Sequence, residues 1–210
     1  AYSTLGWMDD PVTGPMLRSG DGELVETLVH ELVHATVFVK SQPDFNEGVA
    51  AFIGEEAAVR FFADDPERAR LERERVDHSR LLARELLGFR EQARALYAEA
   101  REVPEREIRR TALEAAWRAR LADSELTARS APEFATRIRL NDACLALHGT
   151  YASDEPQHAA LLARLGGDLP RFVALLRQAA ASDDPRAHFL GHAESLARVF
   201  EDNKRLSRER

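Results

Sequence analysis

Apolar residues recur at helical spacing in the first third of the chain. Two such stretches, over about residues 22–39 and 46–63, each predict a helix. Pro43 and its polar neighbours predict a turn between them, and Asp44 is expected to be the N-cap of the second helix. A short connection favours an antiparallel arrangement of the two helices.

Two longer and more polar helices are predicted in the middle of the chain, over about residues 66–102 and 105–124, with Pro104 as the break. Each carries one apolar stripe, so together they predict an antiparallel helical hairpin. The charged runs between the stripes are expected to be solvated faces. The stripe residues are Leu71, Leu81, Leu82, Leu86, Phe89, Ala93 and Leu96 in the first helix, and Ile108, Leu113, Ala116, Trp117 and Leu121 in the second.

The last third of the chain predicts further helices. A helix over 132–148 is expected to stop at a break over 149–151. Asp154 is expected to cap a helix that ends at Gly166 and Gly167, Asp168 to begin the next one, and a final helix to occupy 185–202. Residues 11–21 are expected to form a loop and residues 1–7 a short strand. These elements predict a mainly α fold with little β structure, as a single domain over 1–210.

Composition narrows the class of protein. The 210 residues are sufficient for one substantial core, and a net charge of -7 argues against nucleic acid or an acidic membrane surface as a partner. Cys144 is the single cysteine, which excludes an internal disulfide. The sequence contains no stretch long enough to cross a membrane and no signal peptide.

Residues 30–34 read HELVH, the HExxH pattern of zinc metallopeptidases. In a helix His30 and His34 lie one turn apart on the same face, so their imidazoles can bind one metal ion. Glu31 lies beside them as the candidate general base. Histidines in an apolar helix satisfied by hydrogen bonds alone are the alternative interpretation.

Glu47 is the candidate third ligand, because it is expected in the first turn of the second helix, opposite His34. The alternative is that Asp44 and Glu47 form a capping box. Glu55 and Glu56 are reserve ligands; either could instead support a histidine or lie on a solvated face.

Three ordered segments resemble the motifs of the bacterial putative zinc aminopeptidases: YSTLGWMDDP at 2–11, HELVH at 30–34 and FNEGVA at 45–50. The last also resembles the third-ligand segment of gluzincins such as thermolysin and aminopeptidase N. The resemblance implies a zincin-like helix pair in which His30, His34 and Glu47 bind zinc and Glu31 is the catalytic base. Met8, Ala35 and the Gly48-Val49 pair depart from the family pattern without removing a ligand. The motif-bearing resemblance covers the first third of the chain.

The resemblance also implies an oxyanion-stabilising residue, with Tyr151 as the first candidate and Tyr2 and His148 as alternatives. A tyrosine that only packs is the other interpretation of Tyr151. His188 and His192 repeat the one-turn spacing but lack the glutamate after the first histidine. We interpret them as histidines at the surface or the rim of the core.

The sequence therefore predicts a zinc-dependent peptidase acting on peptides, with an aminopeptidase implied by the resemblance. The acidic residues Asp9, Asp10, Glu55 and Glu56 are chemically suited to bind a substrate's free amine. An endopeptidase and a non-catalytic helical interaction protein with a structural or vestigial metal site are the alternatives. Because family members carry a longer N-terminal part, we expect a soluble C-terminal portion of a membrane-anchored periplasmic protein.

Overall fold

The computed structural model describes residues 13–128 and 133–191. Ten α-helices lie in this part of the chain, and none of its residues is assigned to a β-strand. The helices are α1 (Gly14–Arg18), α2 (Asp21–Thr36), α3 (Pro43–Phe61), α4 (Pro66–Glu99), α5 (Val103–Ala122), α6 (Glu125–Ala128), α7 (Phe134–Arg137), α8 (Asp142–Ala152), α9 (Glu155–Arg164) and α10 (Leu169–Ala179). Residues 185–191 are also helical. The mainly α prediction is confirmed, while the strand predicted over 1–7 lies outside the described residues.

The chain divides into two compact units, one formed by residues 1–73 and 154–210 and the other by residues 74–153. Helix α4 contributes its first two turns to the first unit and the remainder to the second. The single domain over 1–210 remains a prediction. Among the described residues, no helix is both long and apolar enough to cross a membrane.

The core of the first unit is built from α2, α3, α9, α10 and the helical segment after residue 184. Four phenylalanines lie at its centre and pack ring against ring. Phe172 lies 5.3 Å from Phe52 and 5.1 Å from Phe189, measured between ring centroids. Phe45 contacts Phe189 in the same way at 6.0 Å. Burying such large side chains is the main source of stability for this unit.

Helix α2 is less buried than its apolar sequence predicts. Val33 and His34 are its buried residues, whereas Leu32 is 63% exposed and Leu28 is 39% exposed. Among the described residues, α2 packs mainly against α3, and the face that carries Leu28 and Leu32 is left exposed.

The core of the second unit is built from the later part of α4 and from α5, with further residues from α6, α7 and α8. The Phe89 and Trp117 ring centroids are 5.4 Å apart. The ion pair Arg109–Glu99 joins α4 and α5 near the turn between them, and the pair Arg120–Glu85 joins them farther from the turn. This pattern of contacts makes the pair antiparallel, as the hairpin prediction states. Four residues of the predicted stripes are exposed rather than packed: Leu71, Leu81, Ile108 and Ala116.

Several predicted boundaries are wrong. Helix α3 begins at Pro43 with Gln42 as N-cap, so Asp44 lies inside the first turn and is not the cap. A short helix, α1, replaces part of the loop expected over 11–21. Proline can begin a helix because its missing N–H would have no partner there.

The predicted helix over 132–148 is two helices, because Ile138 is extended and Asn141 caps a new helix by accepting a hydrogen bond from the Cys144 N–H at 2.9 Å. Helix α8 then continues through Gly149 to Ala152, so the predicted break at 149–151 is also wrong. The end of α9 follows the prediction, since Gly166 and Gly167 have φ values of +68° and +78°, which glycine adopts without strain.

Candidate metal centre

Helices α2 and α3 bring three candidate ligands together within the first unit. His30 and His34 lie one turn apart on α2, and Glu47 lies near the start of α3. The His30 and His34 Nε2 atoms are 3.0 Å apart. One Glu47 carboxylate oxygen lies 3.3 Å from the His30 Nε2 atom, and the other lies 3.4 Å from the His34 Nε2 atom. Among the described residues these three side chains form the group able to hold a metal ion.

The surroundings of His30 favour its neutral form. Burial lowers the pKa of His30, and the nearby His34 lowers it further, against opposing contributions from Glu47 and Glu31. A neutral imidazole keeps a lone pair for a metal ion, whereas an imidazolium does not. The lowered pKa of His30 therefore favours the neutral form that metal binding requires.

Glu31 differs from its neighbours because one of its carboxylate oxygens is buried without a hydrogen bond to any described residue. Burying a carboxylate oxygen in this way is costly unless a solvent molecule or ligand supplies a donor. Glu31, which follows His30 in the motif, therefore has a carboxylate oxygen available as an acceptor.

Asn46 holds the connection between the two helices. Its side chain accepts a hydrogen bond from the Val39 N–H at 2.9 Å and donates one to the Val39 carbonyl at 2.7 Å. Asn46 is only 3% exposed, so these bonds are shielded from water. These two bonds join Asn46, the residue before Glu47, to Val39 in the connection between α2 and α3. They thereby position the Glu47 carboxylate opposite the histidines.

Gly54 sets the separation of the two helices farther along. A Cβ at this position would lie 2.7 Å from the Glu26 carbonyl oxygen, a distance too short for a real contact. The absence of a side chain therefore lets α3 approach the α2 backbone closely.

The reserve ligands do not join the cluster. Glu56 is 4% exposed, and its carboxylate binds Arg73 through two hydrogen bonds of 2.8 and 2.9 Å and Arg60 through one of 2.6 Å. Arg60 also donates to the Gly167 carbonyl, which joins α3 to the end of α9. Glu56 thus contributes to a buried ionic network, and Glu55 is half-buried on the same helix.

His158 lies in an aromatic environment that the sequence did not indicate. It is fully buried, and its ring lies 5.5 Å from Phe52, 6.0 Å from Phe189, 6.2 Å from Phe172 and 6.4 Å from Phe45. Its place in α9 gives no local indication of this burial. Asn46 could have been noticed from its position between an apolar residue and a candidate ligand, but its hydrogen bonds depend on the turn.

The other predicted site residues do not belong to the described part of the first unit's cluster. Tyr151 and His148 both belong to α8 in the second unit, where Tyr151 is 38% exposed and burial lowers the pKa of His148. The oxyanion role of Tyr151 remains a prediction. His188 is exposed, as expected for a surface histidine. Tyr2, Asp9, Asp10 and His192 lie outside the described residues.

The fold and the cluster define a mainly helical protein with two histidines and a glutamate arranged as a candidate metal centre. The family model described as "Putative aminopeptidase" matches residues 1–190, so the chain belongs to that family. Membership indicates a peptidase. Neither a curated protein nor a solved structure matches the chain.

Proposed function

We propose that the chain is a zinc-dependent peptidase of the gluzincin type that removes N-terminal residues from peptides. The observation that carries this proposal is that His30, His34 and Glu47 each offer a donor atom within 4.8 Å of the other two. Their closest separations are 3.0 to 3.4 Å, with each imidazole nearest to a different Glu47 oxygen. Around tetrahedral zinc with bonds of about 2.0–2.1 Å, ligand atoms lie about 3.3–3.4 Å apart. Two imidazoles and one carboxylate also match the ligand set of catalytic zinc sites that keep a fourth position open.

Zinc would supply Lewis acidity, which polarises the scissile carbonyl and makes a water molecule more acidic. Glu31 would accept the proton of that water and pass it to the leaving amine. The buried oxygen of Glu31, which has no hydrogen bond to the described residues, supports this role because an acceptor already engaged by the protein could not take the proton. Asn46 would act as a positioning residue, through its effect on Glu47.

The first experiment compares metal content with hydrolysis. We expect the purified chain to bind one zinc ion, and a chelator to abolish cleavage of a peptide with a free N-terminus. His34→Ala should lose the metal, since it removes a donor. Stable zinc in His34→Ala, or hydrolysis unaffected by the chelator, would contradict the proposed centre.

The second experiment separates catalysis from metal binding. Glu31→Gln should retain zinc but lose activity by about 10²–10⁴-fold, the usual contribution of a general base. Glu23→Gln is the matched control, because Glu23 is an exposed carboxylate in the first turn of the same helix. Full activity in Glu31→Gln would refute the assignment of the base.

Substrate choice is tested with a free-amine peptide and its N-acetylated form. An aminopeptidase cleaves only the free-amine peptide, whereas an endopeptidase cleaves both. Zinc binding without chelator-sensitive cleavage of either peptide would favour the rival, a helical interaction protein with a structural metal site. Belonging to the aminopeptidase family supports the first outcome.

A further inference from the structure

The second unit contains a groove of about 260 Å³ between α8 and the later part of α4. Its lining residues occupy one face of each helix at spacings of three and four residues. They are Arg90, Ala93, Arg94 and Tyr97 on α4, and Asp142, Leu145 and Ala146 on α8. The groove is therefore built from two helices, and each helix contributes both polar and apolar residues to its lining.

The acidic group of the groove is already paired. The Tyr97 hydroxyl lies 3.0 and 3.2 Å from the two Asp142 carboxylate oxygens, and an Arg110 nitrogen lies 3.6 Å from one of them. Arg110 also donates to the Tyr97 hydroxyl at 3.2 Å. The negative charge of Asp142 is thus balanced by Arg110, so Asp142 does not compensate the charges of Arg90 and Arg94.

Arg90 is the unusual residue of the groove. It is half-buried, yet its guanidinium makes no hydrogen bond or ion pair with residues in the ranges 13–128 and 133–191. It packs beside Gly149, where a Cβ would collide with the guanidinium. A guanidinium that loses part of its hydration without gaining a partner is unfavourable, so an anionic ligand would remove this cost.

Arg94 adds a second cation one turn farther along α4. It meets Glu91 at 3.4 Å, but both side chains are about two-thirds exposed, at 66% and 62%. Exposed pairs of this kind are weak and exchange readily for another anion. Two guanidinium groups on one helix face can therefore approach the same ligand.

The lining of the groove also has an apolar part, and the space is small. Leu145 and Ala93 are buried beneath it, at 2% and 3% exposure. The volume of about 260 Å³ lies just below the range of about 300–1,000 Å³ that is typical of small-molecule sites, which suits a ligand the size of an amino acid derivative. An anion with an apolar substituent would fit both the arginines and the apolar part of the lining.

We propose that this groove binds a small organic carboxylate with an apolar substituent. The carboxylate lies against Arg90 and Arg94, because a guanidinium forms two parallel hydrogen bonds with a carboxylate. The apolar substituent lies on Leu145 and Ala93. A free apolar amino acid and the C-terminal residue of a peptide share this chemistry, and the proposal is independent of the metal centre.

Calorimetric titration of the full chain tests the proposal with N-acetyl-leucine, N-acetyl-leucinamide and inorganic phosphate. We expect N-acetyl-leucine to bind, and the amide, which lacks the carboxylate, to bind at least about tenfold more weakly. Phosphate, which lacks the apolar part, should also bind more weakly. Equal binding of either comparison compound, or no binding of N-acetyl-leucine, would overturn the proposal.

Variants assign the binding to the groove. Arg90→Gln should weaken N-acetyl-leucine binding by about tenfold or more, and Arg94→Gln by several-fold. The control is Arg101→Gln, which removes the same charge at an exposed position outside the groove. Because Arg94 is exposed, its variant should fold even if Arg90→Gln does not, as circular dichroism would verify. Unchanged affinity in folded Arg94→Gln, or an equal loss in Arg101→Gln, would overturn the assignment.

Two further ligands distinguish the sources of the carboxylate. Glycyl-leucine carries the carboxylate on a peptide end, and leucine carries it on a free amino acid. Binding of glycyl-leucine at the affinity of N-acetyl-leucine, with weaker binding of leucine, would assign the groove to peptide C-termini. Preference for leucine would assign it to free amino acids.

Discussion

Replacing Asn46 by alanine tests whether the turn between α2 and α3 positions Glu47. The substitution removes both hydrogen bonds to Val39, at 2.9 and 2.7 Å, and leaves the Val39 N–H and carbonyl without these partners. It leaves both helices and all three candidate ligands in the sequence. Any change in metal affinity would therefore come from the position of Glu47 and not from a missing donor.

The expected loss of stability follows from burial. Asn46 is 3% exposed, so water does not easily replace the lost bonds. Each buried polar group left without a partner costs about 1–3 kcal/mol, so Asn46→Ala should lower the free energy of unfolding by about 2–4 kcal/mol. Zinc affinity should fall by about 10–100-fold, as is typical when a residue supporting a ligand is removed.

Urea unfolding followed by circular dichroism measures the stability, and competition with a chelator measures the zinc affinity. Asn141→Ala is the matched control, because Asn141 caps α8 through one bond to the Cys144 N–H and does not belong to the α2–α3 turn. It should cost about 1 kcal/mol and leave zinc affinity unchanged. Zinc affinity in Asn46→Ala equal to that of the unaltered protein would refute the positioning role.

Two other substitutions test contacts within the first unit. Gly54→Ala places a Cβ 2.7 Å from the Glu26 carbonyl oxygen, so α2 and α3 must separate. We expect a loss of about 1–3 kcal/mol in unfolding free energy and weaker zinc binding. Arg186→Gln removes two hydrogen bonds of 2.7 and 2.9 Å that lower the pKa of the Asp154 carboxyl. Because the folded state favours ionised Asp154, Arg186 stabilises the folded protein at pH values above the pKa of this carboxyl in the unfolded chain, about 3.9. This contribution disappears as the pH falls through the lowered pKa of Asp154 in the folded protein.

The controls for these two predictions are specific. Gly88→Ala lies in α4 with no atom within 4 Å of its added Cβ, so it should stabilise by about 0.5–1 kcal/mol through helix propensity alone. A similar gain in Gly54→Ala would show that α2 and α3 are not in close contact. For Arg186→Gln, the measurement is unfolding free energy against pH. The difference from the unaltered protein should be about 1–3 kcal/mol at pH 7 and shrink under acid; a constant difference would contradict the ion pair.

Local patterns were sufficient for part of this protein. Spacing alone places His30 and His34 on one helix face, because four residues complete about one helical turn. The Gly166-Gly167 pair and Asp168 mark a helix end and the next helix start, since both depend on backbone geometry and on hydrogen bonds between near neighbours. The mainly α class follows from the same local periodicity.

Tertiary structure decided what depends on distant residues. The approach of Glu47 to the histidines, the engagement of Glu56 by Arg73 and the aromatic surroundings of His158 all arise from packing between helices. Helix periodicity cannot supply such information, because it describes which side of a helix is apolar and not which partner covers it. For the same reason Gly149 predicts a break from sequence, while in the folded chain it lies within α8 and provides space for Arg90.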